Sequence, residues 1–182
     1  MSDAIVKIKE SDIALLIAAG VGFVLLSRNE LKNVERSSIT NNPVYTTWTP
    51  PKSADLYIPT IRDAERVNGI PHNLLARVLY QESRFRPDII TGETKSSAGA
   101  VGIAQIVPKW HPDAKPLDPF HSIWYASKYL RNLYNRFGNW EHALAAYNWG
   151  QGNLSKYLAG AISTMPRETM NYVSEITGDV VT

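Results

Sequence analysis

The stretch IWYASKYLRNLYNRF, residues 123–137, decides the fold class. Ile123, Ala126, Ser127, Leu130, Leu133, Tyr134 and Phe137 fall at helical spacing and predict one continuous buried stripe. Lys128, Arg131, Asn132, Asn135 and Arg136 occupy the opposite face, and Gly138 follows as a natural stop for the helix. A second helix is expected from Asn139, with Trp140, Leu144 and Tyr147 on one face and Gly150 with Gly152 ending it.

Upstream the same periodicity continues. A helix is expected from Pro71 to about Phe85, and Pro59 and Pro71 suit first helical positions, where a missing backbone donor is harmless. Alternating Val or Ile runs bounded by turns are nearly absent, although residues 86–95 have room for a small hairpin or loop. Residues 58–182 therefore read as one mainly α domain.

The N-terminal part is different. Ile13–Leu26 reads IALLIAAGVGFVLL, an uninterrupted apolar run. Residues 1–27 are read as an uncleaved hydrophobic anchor helix, with membrane contact through residues 13–26. The run is shorter than the roughly 20 residues a spanning helix needs, so a signal-peptide core or a helix packed on protein competes with that reading. Residues 28–57, rich in Thr, Asn and Pro, have no apolar periodicity and read as a linker, although Tyr45 and Trp48 offer aromatic rings for docking.

Composition narrows the function. With 182 residues, 44% of them hydrophobic, the chain can bury one proper core. Nineteen Lys and Arg stand against seventeen Asp and Glu, without the basic cluster that neutralising phosphates requires, so no nucleic-acid partner is expected. The absence of cysteine excludes thiolate nucleophiles and thiolate metal sites. His72, His111, His121 and His142 lack ligand spacing, and no metal or organic cofactor is expected.

The chemistry centres on Glu82. It follows Leu75, Val78 and Leu79 by seven, four and three residues, which puts its carboxyl on an apolar stripe near a helix C-terminus. Lost hydration and the helix dipole both favour the protonated form, as a general acid requires. Position alone leaves a second reading open, a glutamate at a helix end pairing with Arg84 or Arg86. Downstream, the loop SSAGAVGIAQIVP (residues 96–108) is rich in small residues that allow close backbone approach, but it lacks the GKS or GKT ending of a phosphate loop. Gln105, Asn148, Tyr147, Trp149 and Trp110 supply the amides and aromatic faces that sugars need.

Glu82-Ser83, then Ser96, Gly99, Ala100, Gly102 and Gln105 in the spacing S-x-x-G-A-x-G-x-x-Q, then Pro108, then Ala146-Tyr147-Asn148 with Gly150 form ordered blocks. With Asp118-Pro119 and the closing Pro166, Glu168, Thr169, Tyr172 and Val173, they resemble the soluble lytic transglycosylase family over about residues 59–173. The resemblance implies a goose-lysozyme-like fold, peptidoglycan as substrate, Glu82 as the catalytic acid and then base, and Ser83, Ser96, Gln105, Tyr147 and Asn148 as the residues that support the site or contact the glycan. The chain departs from the family pattern in a longer stretch between Glu82 and Ser96, in Ala104 where Met is common, and in Ser122 where Asn is common.

The implied reaction cleaves the bond between N-acetylmuramic acid and N-acetylglucosamine and leaves a 1,6-anhydro end. Two alternatives stand beside it: a lysozyme-type hydrolase with Asp88 or Glu93 as base, and a noncatalytic glycan-binding protein. Enzymes of this kind accompany virions and secretion or conjugation machines, so action on the wall side of the envelope is expected, from a membrane anchor or within such an assembly.

Overall fold

The computed structural model describes residues 13–19, 22–27 and 48–178. The chain divides into two compact units, residues 1–42 and residues 43–182. Most of the linker expected over residues 28–57 lies outside the described residues.

The first unit holds an antiparallel pair, β1 (Ile13–Ala19) and β2 (Gly22–Ser27), in a register running from Ala19 opposite Gly22 to Ile13 opposite Ser27. This corrects the expected N-terminal hydrophobic helix. The composition explains the outcome: Gly20 and Gly22 would each cost a helix about 1 kcal/mol, whereas Ile, Val and Phe suit the pleated strand. A gap of two residues between the strands is also the commonest hairpin spacing. Among the described residues no helix is long and apolar enough to cross a membrane.

The second unit is helical: α1 (Ile58–Val67), α2 (Leu74–Ser83), α3 (Pro87–Ile90), α4 (Pro119–Phe137), α5 (Trp140–Trp149), α6 (Gln151–Leu158) and α7 (Arg167–Thr177). Its packing begins ahead of residue 58, because Ala54 is buried and the Trp48 ring lies 5.6 Å from that of Tyr80.

The stripe read from residues 123–137 is the inner face of α4, where Ile123, Ala126, Ser127, Leu130 and Leu133 are all buried. Ser127 is accommodated there because its hydroxyl accepts from Asn68 Nδ2 at 2.9 Å and donates to the Trp124 carbonyl at 2.8 Å. Helix α5 packs against α4, α6 and α7. Its buried Ala143, Ala145 and Ala146 let neighbouring helices approach on several sides. Asn139 caps it by accepting from His142 N at 2.7 Å. Gly150 ends it, but Gly152 does not, since the chain re-enters a helix at Gln151.

Helix α2 carries Glu82 and is buried on all sides from Leu74 to Leu79. It starts at Leu74 instead of at Pro71, and the cause is tertiary. Oε1 of the buried Glu65 accepts from the Leu75 and Ala76 amides at 3.1 and 3.3 Å, which puts a carboxylate at the positive end of the helix. Arg62 balances that carboxylate at 2.9 Å. Residues 86–95 form the short helix α3 and then turns, the loop and not the hairpin of the two expected forms, and the Asp88 carboxylate anchors them through Arg86 and Thr94. In the helical unit the described residues pair as β structure only at the isolated bridge between Val101 and Ile106.

Candidate active site

Glu82 lies one residue before the end of α2, and the backbone then turns sharply. Arg84 and Phe85 both take φ of 52°, in the left-handed region that costs an L residue roughly 1–2 kcal/mol. Burial of the Phe85 side chain, which is 1% exposed, offsets much of this at about 1.5–3 kcal/mol. Ser83 completes the turn: its hydroxyl donates to the Leu79 carbonyl at 3.0 Å and accepts from the Phe85 amide at 3.2 Å. Ser83 is fully buried, so its side chain holds the turn that presents Glu82 and does not face a ligand.

The Glu82 carboxylate is half-buried, and its hydrogen-bond partner is the Tyr172 hydroxyl on α7, which donates to Oε1 at 2.6 Å. Burial raises the Glu82 pKa from 4.5 to about 7 against the lowering effect of that hydrogen bond, and the negative charge of Glu168 adds to the rise. The alternative of a glutamate pairing with neighbouring arginines does not hold. Arg84 approaches Glu175 at 3.8 Å and Arg86 pairs with Asp88 at 2.7 Å. Near neutral pH, Glu82 is therefore poised to give and take a proton.

The loop that follows is built from two tight turns. Ser96 Oγ accepts from the Ala100 amide at 2.9 Å and closes one turn. Gln105 closes the next: its amide and its Nε2 both donate to the Gly102 carbonyl, at 3.1 and 3.0 Å. Gln105 itself sits at φ 45°, an uncommon conformation for a residue other than glycine and one that clusters at functional sites. Gly102, at φ 77°, packs so tightly that a Cβ there would overlap the Pro116 carbonyl oxygen. The Tyr147 hydroxyl on α5 donates to the Ala104 carbonyl at 3.0 Å and fastens the loop to the helical core. Ala104, where the family commonly has Met, is fully buried.

Tyr147 is near enough to Glu82 for the two to interact electrostatically, and burial with that charge keeps its phenol well above the usual range. Next to it, Asn148 Oδ1 accepts from Thr169 Oγ1 at 2.8 Å, so α7 orients the amide. A row of half-buried rings continues outward from Tyr147: Tyr129 at 5.7 Å, then His111 at 4.9 Å from Tyr129, with Tyr125 hydrogen-bonded to His111 at 2.9 Å. Trp110, beside this row in sequence, is 70% exposed.

Tyr147, close to Glu82, is tied to the Ala104 carbonyl in the loop that holds Gln105, Asn148 follows it on α5, and Ser83 lies buried behind the turn. The sequence reading missed the part played by Tyr172 and Thr169. Both fall in the closing block Pro166–Val173, and Thr169, Tyr172 and Ile176 mark one buried face, but nothing in that pattern says that the Tyr172 hydroxyl meets a carboxylate 90 residues away. Among the described residues no three His, Asp or Glu side chains converge to hold a metal ion.

Glu82 thus sits at the buried end of α2, close to Tyr147 on α5 and hydrogen-bonded to Tyr172 on α7. Residues 59–168 match the sequence model of the Transglycosylase SLT domain family, and the chain belongs to that family. It is also similar to peptidoglycan transglycosylase gp16 of Escherichia phage T7, with 30% identity over 129 residues. That match covers 62% of this chain and 9% of the phage protein, so the chain corresponds to a small part of that relative.

Proposed function

We propose that the chain is a peptidoglycan lytic transglycosylase that opens the bacterial cell wall locally. The observation that carries this is the half-buried acid Glu82, whose pKa of about 7 makes both of its protonation states accessible at neutral pH. In this reading protonated Glu82 gives its proton to the oxygen linking N-acetylmuramic acid to N-acetylglucosamine, and that C1–O bond breaks. The acetamido group of the muramoyl residue stabilises the cationic C1. Ionised Glu82, steadied by Tyr172, then takes the proton from the O6 hydroxyl as O6 bonds to C1. A 1,6-anhydro end forms, no water is consumed, and Glu82 regains its proton. The enzyme is by this account a lyase.

One carboxyl in two successive roles suffices for this sequence, whereas most glycoside hydrolases use a second carboxylate as nucleophile or to activate water. Asp88, one of the bases considered for hydrolysis, is engaged with Arg86 and Thr94, and Glu93 is exposed in the α3 to Ser96 segment. The action we propose is on the wall side of the envelope, and similarity to a phage protein favours work within a virion over a cellular secretion machine.

Mass spectrometry of digests from purified peptidoglycan tests the reading. Anhydro ends are lighter than hydrolysed ends by one water and resist borohydride reduction. Predominantly reducible ends would make the protein a lysozyme, and an undigested wall would make it a binding protein.

A further inference from the structure

Tyr172 sits between two pins on α7. Three residues before it, Thr169 Oγ1 donates to Asn148 Oδ1 on α5 at 2.8 Å. Four residues after it, the Ile176 carbonyl accepts from Arg77 Nη1 at 2.7 Å, and the Glu175 carbonyl accepts from the same nitrogen at 3.4 Å. Thr169, Tyr172 and Ile176 share the buried face of the helix, as residues three and four apart do. The carbonyls of Glu175 and Ile176 are among the last four of α7, which lack partners within the helix and carry its partial negative charge. A guanidinium suits that place in both geometry and charge.

Arg77 is the pin that refers α7 to the acid itself, because it stands on α2 with Glu82, about 7.5 Å ahead of it along the axis. On α7 the matching contacts, Ile176 and Tyr172, are about 6 Å apart, so the two helices meet antiparallel with their contacts in step. Arg77 is 4% exposed, and the Trp48 ring covers its guanidinium at 5.5 Å. Two further contacts join the same helix ends, Gln81 Nε2 to Glu175 Oε2 at 2.5 Å and Arg84 to Glu175 at 3.8 Å. Both lie at the surface, where solvent weakens them. At 2.6 Å the hydrogen bond from Tyr172 to Glu82 is in the short range for a hydroxyl on a carboxylate, and a slide of α7 by about 0.5 Å takes it out of that range.

We propose that Arg77 is a positioning residue, whose hold on the last turn of α7 keeps the Tyr172 hydroxyl on the Glu82 carboxylate; the inference rests on Glu82 being the acid of the function proposed above. The titratable groups that interact with Glu82 are Tyr172 and Glu168 from α7 and Tyr147 from α5. Burial and the Glu82 charge hold the Tyr172 phenol well above the usual range, so it stays protonated and remains the donor. Loosening α7 therefore withdraws the group that stabilises ionised Glu82 and leaves the burial that opposes ionisation. Arg77 acts on the acid through Tyr172 and not by its own charge.

The test titrates Glu82 in the full chain by NMR of its side-chain carboxyl carbon and, alongside, records the alkaline limb of kcat/KM on peptidoglycan. Arg77→Met keeps an apolar stem and removes the donors. Its Glu82 titration and its limb are expected to move up by about one pH unit, the scale of one lost hydrogen bond to a charged group. The same change made in Tyr172→Phe moves neither any further. Arg77→Lys keeps a charge and reaches one carbonyl, so it falls between Arg77→Met and wild type. A Glu82 titration that is unmoved in Arg77→Met, or moved equally with and without the Tyr172 hydroxyl, would overturn the inference. Where Arg77→Met does not fold, Arg77→Lys decides by the same two comparisons. Failure of wild type to cleave peptidoglycan would instead remove the functional reading, and the titration would still decide the role of Arg77.

Discussion

The Tyr172 hydroxyl donates a 2.6 Å hydrogen bond to Glu82 Oε1, joining the end of α2 to the middle of α7 across 90 residues of sequence. It stabilises the ionised form of an acid that burial drives toward the neutral form, and the balance puts the Glu82 pKa at about 7.

Tyr172→Phe removes the one influence that lowers this pKa, so Glu82 stays protonated to higher pH. A reaction begun by protonated Glu82 loses rate as pH rises through that pKa. The alkaline limb of kcat/KM is therefore expected to move to higher pH in the variant, as read from initial rates between pH 5 and pH 9. An unmoved limb would show that Glu82 does not govern it.

Glu168→Gln acts in the opposite direction. It removes a negative charge that raises the Glu82 pKa, so the alkaline limb moves to lower pH. Turnover is expected to stay within about tenfold of wild type, because loss of a true general base typically costs about 100-fold or more. Collapse of activity with the limb unmoved would identify Glu168 as a base for water and the enzyme as a hydrolase.

Glu82→Gln keeps the shape and removes the transferable proton, with an expected loss of at least about 100-fold in wall-degrading rate. It also changes the pH dependence of stability. A folded-state pKa raised from 4.5 to about 7 means that the native protein holds this proton more tightly than the unfolded chain. The stabilisation is complete below about pH 4.5 and is lost as pH climbs to about 7, amounting to roughly 3 kcal/mol at most. Urea midpoints at pH 4.5 and pH 8 should differ less in Glu82→Gln than in wild type by a corresponding amount.

Gly102→Ala places a methyl group on the Pro116 carbonyl at a φ of 77°, so the variant must shift the loop of residues 96–108. A cost of about 1–3 kcal/mol is expected, or roughly 5–10 °C in Tm by calorimetry. A Tm within a degree of wild type would mean that the loop yields there without strain.

Much of the fold was legible in local pattern. The buried face of α4 and its stop at Gly138 follow from side-chain period and from the left-handed turn that glycine allows. So does the place of Glu82 on the inner stripe of α2. The expectations that the structure corrects have separate physical causes. Pro71 has the chemistry of a first helical residue, but the carboxylate of Glu65 sets the start at Leu74. Gly152 has the chemistry of a stop but lies inside α6. The apolar run at residues 13–26 holds strands β1 and most of β2, which pair antiparallel.

The sequence by itself determined the helical class, the place of Glu82 on an apolar stripe and the ordered motif blocks, because period, caps and residue chemistry are local properties. Only the tertiary structure decided what the acid meets. Arg84 and Arg86, its neighbours in the chain, turn to Glu175 and Asp88, while Tyr172 and Glu168 arrive from α7 to set its proton affinity. The reason is that a carboxyl's pKa depends on burial and on charges within a few ångströms, and those surroundings exist only once α2, α5 and α7 have packed.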